Sequence, residues 1–187
     1  MNDEQLARFE AIEAELEIRN LIARYCFAMD DRDVAAIPDL FTKNARVWSG
    51  DGVKDSRGRD TITTMFEGRF AVLGATNHII HQAVIVIDGA GRARGTVSSH
   101  AEVYRNGRQQ IAGVRYEDVY EKEDGAWRIA DRKMLYLYYT PVELYPGILG
   151  TRDRNLTYDR PIPADVPEGT KTFIDFEEQR QRAATAA

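Results

Sequence analysis

The spacing of apolar residues in this chain changes once, near residue 76, and that change constrains the fold more than any other feature. Across residues 6–29 the apolar positions Leu6, Phe9, Ile12 and Leu16, then Ile18, Leu21, Ile22, Tyr25 and Met29, recur at three- and four-residue steps. This is the stripe of an amphipathic helix, with room for one break where the phase slips after Leu16. Asp33 is placed to cap a second short helix ending near Phe41, with Pro38 keeping it short. Residues 45–48 then read as a strand, Asp51-Gly52 as a turn, and Asp60 as the N-cap of a third helix reaching about Leu73.

Beyond residue 76 the period becomes two. Segments 77–88, 92–104, 108–121 and 126–139 alternate in polarity, separated by Gly89-Ala90-Gly91, Asn106-Gly107 and Asp124-Gly125. Helical stretches followed by a four-stranded meander predict a cone-shaped α+β domain over residues 1–140, with a curved antiparallel sheet wrapped around the N-terminal helices. Residues 141–187 form a C-terminal extension. Five of the six prolines fall between Pro141 and Pro167, which argues against regular helix or central strand there. The extension is expected to pack across a pocket mouth or on a neighbouring subunit, with 178–187 frayed or disordered.

With 187 residues, 43 % of them hydrophobic, the chain is sized for one domain with one core. The formal charge of −5 is mixed along the sequence, so no basic stripe is available for nucleic acid or anionic lipid. The longest apolar run, 83–87, is far too short to span a bilayer, and no leader pattern is visible, so a cytoplasmic protein is expected. The single cysteine, Cys26, excludes an internal disulfide and a cysteine-based zinc site; its apolar helical setting predicts a buried, inert thiol.

All three histidines, His78, His81 and His100, lie in the first two segments of the predicted sheet. Alternation puts Ser98, His100, Glu102 and Tyr104 on one face, which fits either a wet pocket lining or a solvent face. The three-residue spacing of His78 and His81 sends them to opposite faces unless a bulge intervenes, so only one is expected in a pocket and no metal site is expected. Asp30 closes the first helix within the charge run Asp30-Asp31-Arg32-Asp33. Its position on the edge of the apolar stripe suits either a solvated helix end or a pocket acid. Tyr25 lies nearer the middle of that stripe, where a phenol is ordinarily a core aromatic.

These residues and the order of elements resemble the SnoaL-like branch of the nuclear transport factor 2-like superfamily, over roughly residues 10–140. Tyr25-Cys26-Phe27-Ala28-Met29-Asp30 is similar to the Tyr-x4-Asp segment of bile-acid 7α-dehydratases, and Thr76-Asn77-His78 to the histidine-bearing segment of scytalone dehydratase. The closing Asp124-Gly125-Ala126-Trp127-Arg128 resembles a hairpin of the whole superfamily and marks fold only. His100 falls where scytalone dehydratase has its second active-site histidine. Trp48 stands where both enzyme types have a pocket tyrosine. Near Val114 and Tyr116 the later strands lack that enzyme's serine and asparagine, so scytalone itself is not the expected substrate.

The resemblance implies a cofactor-independent dehydratase acting on a carbonyl-containing aromatic, polycyclic or steroidal hydroxy compound, with Tyr25, Asp30, His78 and His100 catalytic and Trp48, Asn77, Val114 and Tyr116 in its binding site. It also implies a homo-oligomer, trimer ahead of dimer. Tyr136, with Tyr138, Tyr139 and Tyr145, suits a pocket or interface for a flat aromatic molecule, and ordinary core packing accounts for these tyrosines as well. Two alternatives stay open: a carbon–carbon lyase, isomerase or cyclase using the same His/Asp pair, and a non-catalytic module that binds small molecules. A small-molecule substrate is expected in every case, and neither metal nor organic cofactor.

Overall fold

The computed structural model describes residues 2–89, 91–156 and 160–186; Ala90 of the predicted 89–91 turn and Ala187 lie outside them. Helix α1 (Asp3–Asp30) is continuous, which corrects the expected break: it contains neither Gly nor Pro, and a capping box between Asn2 and Gln5 starts it. The phase slip has another meaning. Ile18, Leu21, Ile22, Tyr25 and Met29 are buried, whereas Leu6, Phe9, Ile12 and Leu16 are exposed.

Asp33 caps a short 3-10 turn, accepting from the Ala36 N–H, and leads into α2 (Ile37–Leu40) with Pro38 in its first turn. Strand β1 (Phe41–Ser49) and a short strand not foreseen in the sequence, β2 (Asp55–Arg57), precede α3 (Arg59–Phe70). Gly58 occupies the N-cap position of α3, so Asp60 sits inside the first turn, where its charge complements the helix dipole.

The meander follows as β3 (Leu73–Gly89), β4 (Arg92–Arg105), β5 (Arg108–Glu123) and β6 (Ala126–Pro141). The Asn106-Gly107 and Asp124-Gly125 loops have positive φ at both residues (53° and 75°, 53° and 80°), the backbone that lets a two-residue hairpin match strand twist. The sheet order is β2-β1-β6-β5-β4-β3. The β1–β6 pair is parallel, so the sheet is mixed rather than wholly antiparallel. The helices fill its concave face around Ile18, Leu21, Phe41, Ile62, Val97 and Ile129.

Several bulges decide which side chains face inward, among them one on β3 and two on β6. His81 is looped out between Ile80 and Gln82 on β3. On β6, Ala130 and Leu137 are looped out, because Val119 pairs with Asp131 while Tyr120 pairs with Ile129, and Gly113 pairs with Tyr138 while Val114 pairs with Tyr136.

Where β1 leaves the sheet, the C-terminal extension takes over the β6 edge. The Tyr139 N–H donates to the Arg154 carbonyl, and the Leu156 N–H to the Tyr139 carbonyl. Asp165 accepts from the Tyr136 N–H at 2.8 Å. These bonds satisfy backbone groups that would otherwise stay open. The chain then forms α4 (Lys171–Ala186). The expected frayed end is therefore helical, its exposed surface carrying i,i+3 and i,i+4 ion pairs such as Arg180–Glu177 and Arg182–Glu178. No helix among the described residues is long and apolar enough to cross a membrane.

Candidate functional site

The last turn of α1 carries Asp30, and its C-terminal end supplies no basic residue to balance the helix dipole. A carboxylate is ordinarily disfavoured there. Its compensation comes from β3. Asp30 Oδ1 lies 2.6 Å from His78 Nδ1 and accepts from the Thr76 hydroxyl at 2.8 Å, while Oδ2 accepts from the His78 backbone N–H at 2.7 Å. That N–H is free for the purpose because β3 is the edge strand. Burial pushes the Asp30 carboxyl up, but the His78 hydrogen bonds and charge, together with Thr76, outweigh it and leave the group below its ordinary value.

Arg32 locks this corner. It adopts a left-handed φ of 60° just past the helix, where the Asp33 N–H closes a 3.0 Å bond to the Ala28 carbonyl in a Schellman turn. A non-glycine residue pays strain in that conformation. Here its guanidinium bonds the Met29 carbonyl at 2.7 Å, the Thr76 hydroxyl at 3.1 Å and the Gly74 carbonyl. The chain Arg32 to Thr76 to Asp30 to His78 thus ties helix end to strand. The carboxylate contact assigns the ring proton to His78 Nδ1 and leaves Nε2 as the basic nitrogen.

His78 and Tyr25 both line a cavity between the helices and the concave sheet face. Val114, Tyr116 and Tyr136 line it as well. Its walls are otherwise apolar, from Val47, Phe66, Ala101 and Met134, with Arg32 and Arg69 among the few charged groups. Of the residues expected in the site, Tyr25, His78, Val114, Tyr116 and Tyr136 therefore come together, and Asp30 holds the His78 ring.

Three expected site residues lie elsewhere. His100 is on the convex face, with its ring stacked on that of His81 at 6.1 Å; the strand positions that face the cavity are its neighbours Ala101 and Val103. Asn77 is exposed and donates to Glu102 at 3.1 Å. Trp48 is also convex: its indole N–H donates to Asp131 at 2.9 Å, and it is Val47 that points inward. Alternation along each strand separates these residues from the cavity, since neighbours face opposite ways.

Sequence reasoning missed a buried charge pair behind Tyr25. Arg132 and Asp118, both fully enclosed, form a two-pronged ion pair at 2.9 and 2.6 Å. The Arg132 guanidinium lies over both the Tyr25 and Tyr116 rings, 4.2 and 4.4 Å from their centroids. Tyr120 donates to Asp118 at 2.7 Å. A Cβ on Gly95 would stand 2.8 Å from the Tyr120 ring, so only glycine leaves room for it. Asp118 was detectable as an acid in phase with Val114, Tyr116 and Tyr120. Arg132 was not, because the Ala130 bulge is what turns it inward.

Burial raises the Tyr25 phenol above its ordinary value, with the Arg132 charge opposing, so it stays a neutral hydrogen-bond donor. Burial likewise pushes the Cys26 thiol up to about 11, consistent with an inert side chain. No group of three or more His, Cys, Asp or Glu side chains that could hold a metal ion comes together among the described residues.

Residues 10–133 match the family model of the SnoaL-like domain. No curated protein matches the chain significantly. Among solved structures, it is similar to hexachlorocyclohexane dehydrochlorinase LinA-type3 from Novosphingobium barchaimii, with TM-score 0.66 and 14 % identity over 72 % of this chain and 94 % of that one. A provisionally assigned scytalone dehydratase from Novosphingobium aromaticivorans aligns at TM-score 0.62 and 21 % identity, covering 75 % and 91 % of the two chains. A protein of unknown function from Mycobacterium tuberculosis aligns at TM-score 0.62 and 25 % identity, covering 69 % and 75 %.

Proposed function

The chain belongs to the SnoaL-like domain family, and from that premise we propose that it is a cofactor-independent lyase that removes water from a hydroxy carbonyl compound. The observation that carries this reading is the 2.6 Å contact between Asp30 and His78 Nδ1, beside an apolar cavity that Tyr25 also lines. A base of this kind can take a proton from carbon only if its charged form is stabilised and its orientation fixed, and Asp30 supplies both.

In the proposed reaction His78 Nε2 takes the acidic proton next to, or vinylogous with, the carbonyl. The C–H electron pair moves toward the carbonyl oxygen, where Tyr25 donates a hydrogen bond as negative charge develops. As the pair returns, the carbon–oxygen bond to the hydroxyl breaks, and the imidazolium gives its proton back to the departing group as water. Products are the unsaturated carbonyl compound and water, and His78 ends in its starting state. With His100 on the convex face, one imidazole handles both proton transfers, so the proton and the hydroxyl leave from the same side of the substrate.

The names of two structural neighbours, a dehydrochlorinase and a scytalone dehydratase, describe eliminations and are compatible with this chemistry. Tyr116, Tyr136 and Tyr139 on the cavity wall favour a flat aromatic or polycyclic body. The test is a panel of β-hydroxy ketones, phenolic fragments and hydroxysteroids, read by mass spectrometry in the wild type and His78→Ala. Loss of water that depends on His78 supports the reading. Loss of an aldehyde, or isomerisation at constant mass, assigns the same dyad to a carbon–carbon lyase or isomerase. Tight binding without turnover of any compound makes the protein a binding module.

A further inference from the structure

The cavity of the dyad continues into a second lobe, and the two share Met65, Arg69, Leu73, Tyr136 and Tyr139. Three cations from three separate elements line the second lobe: Lys54 from the loop between β1 and β2, Arg69 from α3 and Arg105 from the end of β4. None of the three forms an ion pair among the described residues, whereas most other arginines of the domain do. Lys54 donates instead to the Tyr136 hydroxyl at 3.0 Å, and its ammonium lies 5.6 Å from the centre of that ring. Asp51, the acid whose field reaches Lys54, is occupied by the Ser49 hydroxyl and the Val53 N–H.

Like charges gathered against an apolar wall cost free energy unless an anion joins them. We propose that this lobe is an anion subsite of the active site, in which Lys54, Arg69 and Arg105 hold a carboxylate of the substrate while its apolar body spans Leu73, Tyr136 and Tyr139 toward His78. The subsite stands on its own lining; only the placement of the reacting carbon at His78 rests on the lyase reading. It narrows the substrate class to aromatic or polycyclic hydroxy carbonyl compounds that also carry an acid group.

Protonation supplies an independent signature. Burial first, then Arg69 and Arg105, push the Lys54 ammonium down to about 7, with Asp51 opposing. Of the other groups on this lobe, Tyr136 and Tyr139 on β6 are held above the ordinary phenol value, by burial before anything else, and stay neutral. A bound carboxylate favours the charged ammonium, so binding takes up a proton where the free amine is neutral. Affinity should then be level below pH 7 and decline above it, by at most about tenfold per pH unit.

The experiment is calorimetric titration of the full chain with 2-naphthoate and with its neutral counterpart 2-naphthamide, at pH 6 and pH 9. We expect naphthoate to bind about tenfold or more tightly than naphthamide at pH 6, as charge-assisted contacts allow, with the preference falling at pH 9 and proton uptake visible as a buffer-dependent heat. Lys54→Met should reduce the preference at pH 6 to about its pH 9 level and remove its pH dependence, and a Lys54→Met protein that keeps the full pH 6 preference overturns the proposal. Lys54→Arg, which keeps the charge, should retain the preference and lose the pH dependence, and it serves if Lys54→Met does not fold. In His78→Ala the preference should persist, which separates the subsite from the dyad. Equal affinity for the two ligands, absence of binding by either, or a preference that survives Lys54→Met together with Arg69→Gln overturns the proposal. Naphthoate preference without turnover of any hydroxy carbonyl compound would leave the subsite standing and remove the lyase reading.

Discussion

Asp30 grips His78 twice, through the ring Nδ1 at 2.6 Å and through the backbone N–H at 2.7 Å, so the carboxylate fixes both the tautomer of the imidazole and the position of the strand that carries it. A helix end and a sheet edge are thereby joined at the one residue proposed to move protons. Each half of the contact has a different consequence when Asp30 is changed.

The dyad should behave as a unit. On a substrate found by the mass-loss panel, Asp30→Asn should keep the fold and lower kcat, and His78→Ala should lower it at least as far, by about 10²–10⁴. The double variant should be little slower than His78→Ala, since residues acting together are strongly non-additive. Additive losses in steady-state kinetics would show that Asp30 does not act through His78.

Tyr25→Phe removes one donor to the developing oxyanion and leaves the ring that packs against Arg132. Turnover should fall by about 10²–10³, the range for one such donor. The affinity of a ground-state analogue should change much less. A rise in KM with kcat intact would make Tyr25 a binding residue only.

Acid should erode the contribution of Asp30 to stability. Its carboxyl lies below the ordinary value in the folded protein, so the stabilisation is complete above the unfolded value of about 3.9 and is lost as pH falls through the folded value. The Tm difference between wild type and Asp30→Asn should therefore shrink as pH falls through the carboxylate range. A difference that widens on acidification contradicts the hydrogen-bond arrangement.

The Arg132–Asp118 pair should be costly to break from one side. Asp118→Ala leaves a fully enclosed guanidinium without its carboxylate, and urea unfolding should register a loss of ~3–5 kcal/mol. Replacing both, as in Asp118→Leu with Arg132→Met, should recover much of that, because the desolvation of both charges disappears with them. A double variant as unstable as Asp118→Ala would mean that the pair contributes more than mutual compensation.

Self-association is proposed from the surfaces left open. The long edge strand β3 presents Ile79, Val84 and Val86 to solvent, and α1 presents Leu6, Phe9, Ile12 and Leu16. An uncovered apolar edge is a liability that assembly removes. Light scattering at micromolar concentration should report an oligomer, trimer ahead of dimer, that Val84→Lys with Val86→Lys weakens. A monomeric wild type contradicts it.

By itself the sequence determined the order of the N-terminal helices and of the β3–β6 meander, though not β2 or α4, because helical and strand periods are local and because Asn106-Gly107 and Asp124-Gly125 encode two-residue turns in their own backbone preferences. It also singled out Tyr25, Asp30 and His78, through the edge position of an acid on a helical stripe and a resemblance confined to short segments. Tertiary structure alone decided which neighbours share the cavity. Bulges at His81, Ala130 and Leu137 shift side chains from one face to the other, and their placement depends on how strands pair across the sheet, which no single strand records. Thus Arg132 turned inward beyond any alternation rule. His100 and Trp48 fell on the convex face because the inner row of each strand was taken by residues one position away, Ala101 and Val47. The cationic lobe was invisible for a related reason: Lys54, Arg69 and Arg105 belong to a loop, a helix and a strand, and only folding around a common apolar wall brings their charges together.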